Sequence, residues 1–196
     1  LVVPNALQHF GEIFPNVQLR IVTAPTRRIY NQLHSDQLDA GIAIELPADE
    51  LPTGLQAVPI ANIEMVLIGP PDHHLLDDDA PIDLGRLIDE PLITNELTIG
   101  YGQIVTSMFA DIGAYPNIRA VADNVDTLRE MVAAGMGVAI IPRSALLQAG
   151  ISAPLGVRAI TPERRIGFCI VRRRQAMSRS RESYFSFLSD ALSNAV

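Results

Sequence analysis

The chain has 196 residues, 48% of them apolar and 19% charged, which is enough for one large domain or two small lobes around a substantial core. Fifteen basic residues against 22 acidic ones give a formal net charge of −7. That balance excludes a domain that grips nucleic acid unaided, because neutralising phosphates with basic side chains supplies most of such affinity.

The single cysteine, Cys169, rules out an intrachain disulfide, and its place in the apolar run 166–171 reads as a buried small hydrophobe. No apolar run is long enough for a membrane span, and the reading is of a cytoplasmic protein with no membrane contact. The opening stretch LVVPNALQHFGEIFP has no basic segment and is interrupted by Pro4 and His9, so it does not resemble a secretory leader. It reads as part of a helix, and the natural N-terminus is expected to lie further upstream.

Val3, Leu7, Phe10 and Phe14 step at helical spacing and Pro15 ends the run. Val17, Leu19 and Ile21 alternate with polar residues and predict a strand, followed by the turn TAPT at 23–26. A helix over 27–36 with Ile29, Tyr30 and Leu33 inward leads to an apolar strand at 38–44 and an acidic, proline-containing loop at 45–54. Two strands are predicted at 55–60 and 63–69. The polar stretch PPDHHLLDDDAP at 70–81 is a natural lobe boundary. The rhythm then restarts: a short helix at 83–88, a strand at 91–94, a helix at 100–112 with Ile104, Met108 and Ile112 on one face, and a strand at 117–122.

The stretch DNVDTLREMVAAGMGVAIIP at 123–142 is the most informative. Asp123 or Asn124 supplies a side-chain oxygen that can cap a helix. Leu128, Met131 and Val132 form its apolar stripe, and Gly135 stops it. Residues 137–141 form an unbroken apolar run, suited to a strand covered on both faces as in parallel sheets. A helix at 143–149, strands at 156–160 and 166–173, and a last helix at about 180–193 that buries Tyr184, Phe187, Leu188 and Leu192 complete the chain. Two consecutive β–α series argue for an α/β fold of two lobes.

Five stretches together resemble the effector-binding domain of a LysR-type transcriptional regulator. They are 1–15, the segment VQLRIVTAPTRRIYNQLHSDQLDAGIAI, IEMVLIGPPDHHLL with His74 where the family's D-H-P-L turn has proline, LIDEPLIT, and VAAGMGVAIIP. The resemblance implies two Rossmann-like lobes joined by two crossover strands, like the type 2 periplasmic binding proteins, with a ligand cleft between them. Lobe I would comprise 1–68 and 168–196, and lobe II 69–167. It further implies a small-molecule organic effector, expected to be a carboxylate, and a homodimer through the first helix and the 101–112 helix. A tetramer is implied at full length, with DNA and RNA polymerase engaged only through the full-length protein. The winged helix-turn-helix, the first strand of the domain and the start of its first helix are absent from this sequence.

Independently of any family, ligands of open α/β sheets sit beyond the carboxyl ends of strands, where helix N-termini present free N–H groups. Three turns qualify: 23–26, 94–101 and 122–125. These turns make Pro25, Thr94, Asn95, Thr98, Gly100, Asn124 and Val125 candidate ligand-binding residues, and the resemblance implies Thr26 and Tyr101, which fall where some family members contact their effector. Thr26 reads equally as a plain helix cap, and Tyr101 as a core residue. The run DHHLLDDD at 72–79 holds metal-ligating residue types, but it is assigned to a turn and not to a metal site. The eight arginines between 158 and 181 are assigned to solvated surface. No catalytic motif, P-loop, zinc signature or dinucleotide fingerprint is present, so no catalytic residue and no cofactor is assigned. A transport-type solute-binding protein of the same fold is the alternative function, and an enzyme on a related two-lobe fold has no constellation to support it.

Overall fold

In the computed structural model, residues 2–45, 50–97, 100–147, 153–175 and 178–193 are described. The elements in order are α1 (Val2–Ile13), α2 (Thr26–His34), β1 (Gly41–Ile44), β2 (Leu55–Gly69), β3 (Ile82–Asp83), β4 (Leu92–Asn95), α3 (Gly100–Asp111), β5 (Ile118–Ala122), α4 (Val125–Ala133), β6 (Ala139–Pro142), β7 (Gly156–Thr161), β8 (Arg165–Arg173) and α5 (Arg179–Ser193). Short 3-10 turns lie at His74–Leu76, Leu84–Leu87 and Arg143–Leu147. The chain forms two compact units, residues 1–62 with 167–196, and residues 63–166. It passes between them within β2 and near the start of β8.

In the first unit, β1 runs antiparallel to β8, with Gly41 opposite Val171 and Ile44 opposite Phe168. Ile29, Tyr30 and Leu33 of α2 pack on Ala43, Leu55, Cys169 and Val171, because the three helical residues share one face and strand residues two apart share another. Cys169 is buried there, and burial together with the nearby Glu45 carboxylate pushes its thiol up to about 11. A second cluster joins Ala6 of α1, Ile60, Ile170, and Phe185 and Leu192 of α5. Aromatic rings reinforce the α1–α5 seam: Phe14 meets Tyr184 edge-on at 4.7 Å and Phe10 meets Phe187 at 5.9 Å.

In the second unit, β6 and β7 both run antiparallel to the end of β2, with Met65 opposite Pro142 and Val66 opposite Ala159. β3 pairs parallel with β7, and β4 pairs parallel with β5. Val66, Ile68, Ile93, Leu128, Val132, Ala139 and Ile141 form the core, with Met131 packed against it. Gly135 ends α4 at φ +76°, the left-handed turn that glycine takes without penalty. At Gly137 a side chain has no room: a Cβ would stand 2.2 Å from the Pro91 carbonyl oxygen. The bare backbone lets the amide of Val138 reach that same oxygen at 2.9 Å, while Ile93 N–H donates to Val138 O at 2.8 Å.

Several sequence expectations are corrected. Residues 17–22 form no strand among the described residues; Leu19, Ile21 and Val22 are exposed, and alternation without a hydrogen-bonding neighbour does not make a ladder. The two strands expected at 55–60 and 63–69 are one continuous β2, since the intervening Ala61-Asn62 continues the extended backbone. β6 is buried on both faces as expected, but its ladder with β2 is antiparallel; a parallel bridge to Leu92 is made by Val138, the residue just before it. Ile112 lies just past the end of α3 and is exposed. The segment after β6 is a 3-10 turn, with residues 148–149 outside the described ones. On α5 the fully buried positions are Phe185, Ser189 and Leu192, whereas Tyr184, Phe187 and Leu188 are half-buried.

Candidate ligand-binding site

Parallel pairing sets the geometry. Thr94 stands opposite Val121 and Asn95 opposite Ala122, so β4 and β5 finish side by side and deliver the chain into α3 and α4 at the same end. Two helix N-termini therefore follow the carboxyl ends of adjacent parallel strands, where the backbone offers N–H groups and the positive dipole end. Asn95 Nδ2 donates to Ala122 O at 3.1 Å and ties the two strand ends together. A Cβ on Gly102 would lie 2.5 Å from Asn95 O and 2.2 Å from Glu96 O, so the first turn of α3 rests directly on this strand end.

Of the two candidate caps, Asn124 is the one that serves. It is extended at φ −142°, and its Oδ1 accepts from Thr127 N–H at 2.8 Å. Its Nδ2 donates to Asp123 Oδ1 at 2.8 Å. The cap takes the third amide of α4; by helix geometry the first two, of Val125 and Asp126, have no carbonyl within the helix to meet. Thr94 is buried in β4. Tyr101 is half-buried, and desolvation pushes its phenol up to about 12, so it stays a neutral hydroxyl. Gly100 opens α3 at φ +54°. Thr98 lies outside the described residues. The second unit thus gathers Thr94, Asn95, Gly100, Tyr101, Asn124 and Val125 around one strand end.

Pro25 and Thr26 belong to the first unit. Pro25 is the N-cap of α2, with no side-chain cap bond; its carbonyl accepts from Arg28 N–H at 2.9 Å and Ile29 N–H at 3.1 Å. Thr26 is the first helical residue and half-buried, so the plain-cap reading of its hydroxyl is corrected: the cap is the residue before it. Proline's fixed φ suits that position and leaves the helix end without a competing side-chain acceptor.

The run 72–79 holds more than its sequence suggested. His73 and His74 stack with ring centroids 4.5 Å apart. His74 Nε2 lies 2.9 Å from Glu90 Oε1, and His73 Nε2 lies 3.8 Å from Glu90 Oε2. His73 Nδ1 accepts from Leu75 N–H at 3.3 Å. Burial and the neighbouring His74 hold the His73 imidazole below its usual range, opposed by Glu90, Asp72 and Asp77. Glu90 was not among the residues singled out from the sequence; only the fold brings it here. Behind this turn the buried Arg158 of β7 donates to Leu75 O at 2.7 Å and Ala80 O at 2.6 Å and pairs with Asp78 at 3.1 Å. Five of the seven other arginines between 158 and 181 are ion-paired within their units: Arg164 to Asp111, Arg165 to Glu163, Arg172 to Glu182, Arg173 to Asp36 and Arg181 to Asp39.

Parallel strand ends that launch helices are where α/β domains place their ligands. Among solved structures, the regulatory domain of CcmR from Synechocystis PCC6803 in complex with 2-PG matches with a TM-score of 0.85 at 19% identity, over 98% of this chain and 91% of that one. The BenM effector binding domain with its effector benzoate matches with a TM-score of 0.83 at 20% identity, over 99% and 85%. These likenesses establish the fold, that of LysR effector-binding domains and the type 2 periplasmic binding proteins. The sequence is 32% identical over 145 residues to the HTH-type transcriptional regulator TtuA of Agrobacterium vitis, covering 72% of this chain and 46% of that protein. It is 31% identical over 174 residues to a probable hydrogen peroxide-inducible genes activator of Mycobacterium avium, covering 85% and 53%. The chain belongs to the LysR substrate binding domain family, whose pattern matches residues 1–193. It spans about half the length of the curated relatives it matches.

Proposed function

We propose that this chain is the effector-sensing domain of a LysR-type transcriptional regulator and that its effector is a small organic acid. The observation that carries the reading is the paired strand end of β4 and β5, with α4 capped by Asn124 but its first two amides left open to an anion. Each helix N-terminus favours negative charge by roughly 0.3–1 kcal/mol at ordinary exposure. A carboxylate there replaces water on donors that would otherwise need it. Asn95, Gly100, Asn124 and Val125 are assigned to hold the acid, Tyr101 to stack on it or donate to it as a neutral phenol, and Thr94 and Thr98 to line the turn. Pro25 and Thr26 at the start of α2 are assigned as further effector contacts. The family match favours a regulator over a transport protein, and no catalytic role is assigned.

The remaining assignments belong to the same reading: regulatory lobes of 1–68 with 168–196 and of 69–167, and a homodimer through α1 of one copy and α3 of the other. A cytoplasmic full-length tetramer would engage DNA and RNA polymerase through a DNA-binding domain outside this chain. Effector binding would act through its differential affinity for two conformations.

Calorimetric titration of a panel of aromatic and aliphatic carboxylates, benzoate and shikimate included, tests the reading. Saturable binding of one acid is expected, weakened in Thr26→Val by about 0.5–1.5 kcal/mol for the lost hydroxyl. Because Pro25 and not Thr26 caps α2, that substitution removes no cap. A ligand that is a cation, or an acid that binds both proteins equally, contradicts the assignment.

A further inference from the structure

We propose that His73, His74 and Glu90 form a zinc site on the second unit, separate from the effector-binding strand end. One nitrogen from each imidazole and one carboxylate oxygen all lie within 4.8 Å of one another. Zinc bonds of about 2.0–2.2 Å in tetrahedral geometry place neighbouring ligand atoms roughly 3.3 Å apart. His74 Nε2 lies 2.9 Å from one Glu90 oxygen and His73 Nε2 3.8 Å from the other, so side-chain rotations must draw the three ligand atoms together around the ion. Two imidazoles and a carboxylate suit borderline metals such as zinc better than calcium or magnesium, which prefer oxygen. Three protein ligands leave the fourth position for water or a further ligand.

The segments that carry these side chains are held in place. The carbonyls of Leu75 and Ala80 and the carboxylate of Asp78 are fixed by the buried Arg158. Glu90 is held by its own N–H to Leu87 O at 3.3 Å, and the preceding Asp89 carbonyl accepts from Asn117 Nδ2 at 3.1 Å. Asp72 and Asp77 add negative potential around the histidines. His73 and Glu90 alone would be an ordinary half-buried polar pair. His74, which stands where the resembling family has proline, supplies the third ligand and is 61% exposed, so the site is open to solvent from its side. Both imidazoles bind as neutral rings through Nε2 with the proton on Nδ1. For His73 this gives up the long contact with Leu75 N–H, so the proton moves within the ring and none is released.

The test is titration of the untagged chain with zinc chloride, followed by calorimetry, on wild type and on His74→Ala, Glu90→Gln and His9→Ala. One zinc per chain is expected, with affinity at least about tenfold weaker in His74→Ala and Glu90→Gln and unchanged in His9→Ala, whose ring meets Glu12 and Phe187 in the first unit. His74→Ala removes an exposed side chain, so an unaltered circular dichroism melt separates loss of a ligand from loss of fold. Cobalt(II) should give ligand-field absorption that Glu90→Gln abolishes. Absence of stoichiometric zinc binding in wild type, or equal binding in His74→Ala and Glu90→Gln, overturns the proposal. Either result leaves the effector reading untouched, because that reading rests on other residues.

Discussion

Residues 17–26 and 117–125 carry the same written pattern: alternating apolar residues, a polar turn, then a helix. In the second, Ile118 to Ala122 pair with β4 and become a strand. In the first, Ile21 is 67% exposed and no described strand lies alongside. The helices that follow also begin differently. α4 has its third amide taken by Asn124, whereas α2 starts at a proline that offers no side-chain acceptor. Alternation makes a segment eligible for a sheet, but only a partner with unpaired backbone groups makes it a strand. A turn rich in capping residues makes a helix start, but the choice of cap decides which amides remain for a ligand.

The largest expected effect contrasts the two segments' surroundings. Ile93→Ala, at a fully buried position of the strand that pairs with β5, should cost about 2–5 kcal/mol, and Ile21→Ala should stay within about 0.5 kcal/mol. Denaturant melts of both variants measure this. A cost above 2 kcal/mol at Ile21 would mean that residues 17–22 are buried against something and that the contrast is false. Hydrogen exchange sharpens the point: amides at 118–122 should be protected and those at 17–22 should exchange quickly.

Next comes Gly137→Ala. The added Cβ meets a backbone oxygen that cannot move away, and it would push β6 from the start of β4. A loss near the top of the roughly 1–3 kcal/mol range for overpacking is expected in a thermal melt. A neutral result would contradict the close approach to Pro91. The smallest stability effect is at the helix start: Asn124→Ala should remove about 1 kcal/mol through the lost cap. Pro25→Ala, at a cap that uses no side chain, should change stability by less than that; equal losses at both positions would erase the distinction between the two helix starts.

Much of the fold was legible because hydrophobic periodicity reports burial directly. Ile29, Tyr30 and Leu33, and Leu128 and Val132, all lie in the core where helical spacing puts them. The two-glycine connection at 135–137 was legible because each glycine answers a local need, a left-handed cap and a close backbone approach. Pairing was not legible. The direction of β6, the continuity of β2 and the missing partner of 17–22 depend on which strand lies next, which no local pattern encodes. The candidate site divides the same way. A cap at Asp123 or Asn124 could be read from the local sequence, and the structure selects Asn124, whereas the bond from Asn95 to Ala122 spans 27 residues and the approach of Glu90 to His74 spans 16. Those contacts belong to the tertiary fold.

The central claim is that an organic acid is held on helix N-termini at the strand end of β4 and β5. The most direct measurement is a backbone amide NMR titration with the tightest-binding carboxylate of the panel. Saturable shifts should concentrate at Val125 and Asp126, with Asn95 Nδ2 moving in step. Saturable binding with these amides unmoved, and the shifts gathered elsewhere in the chain, would contradict it.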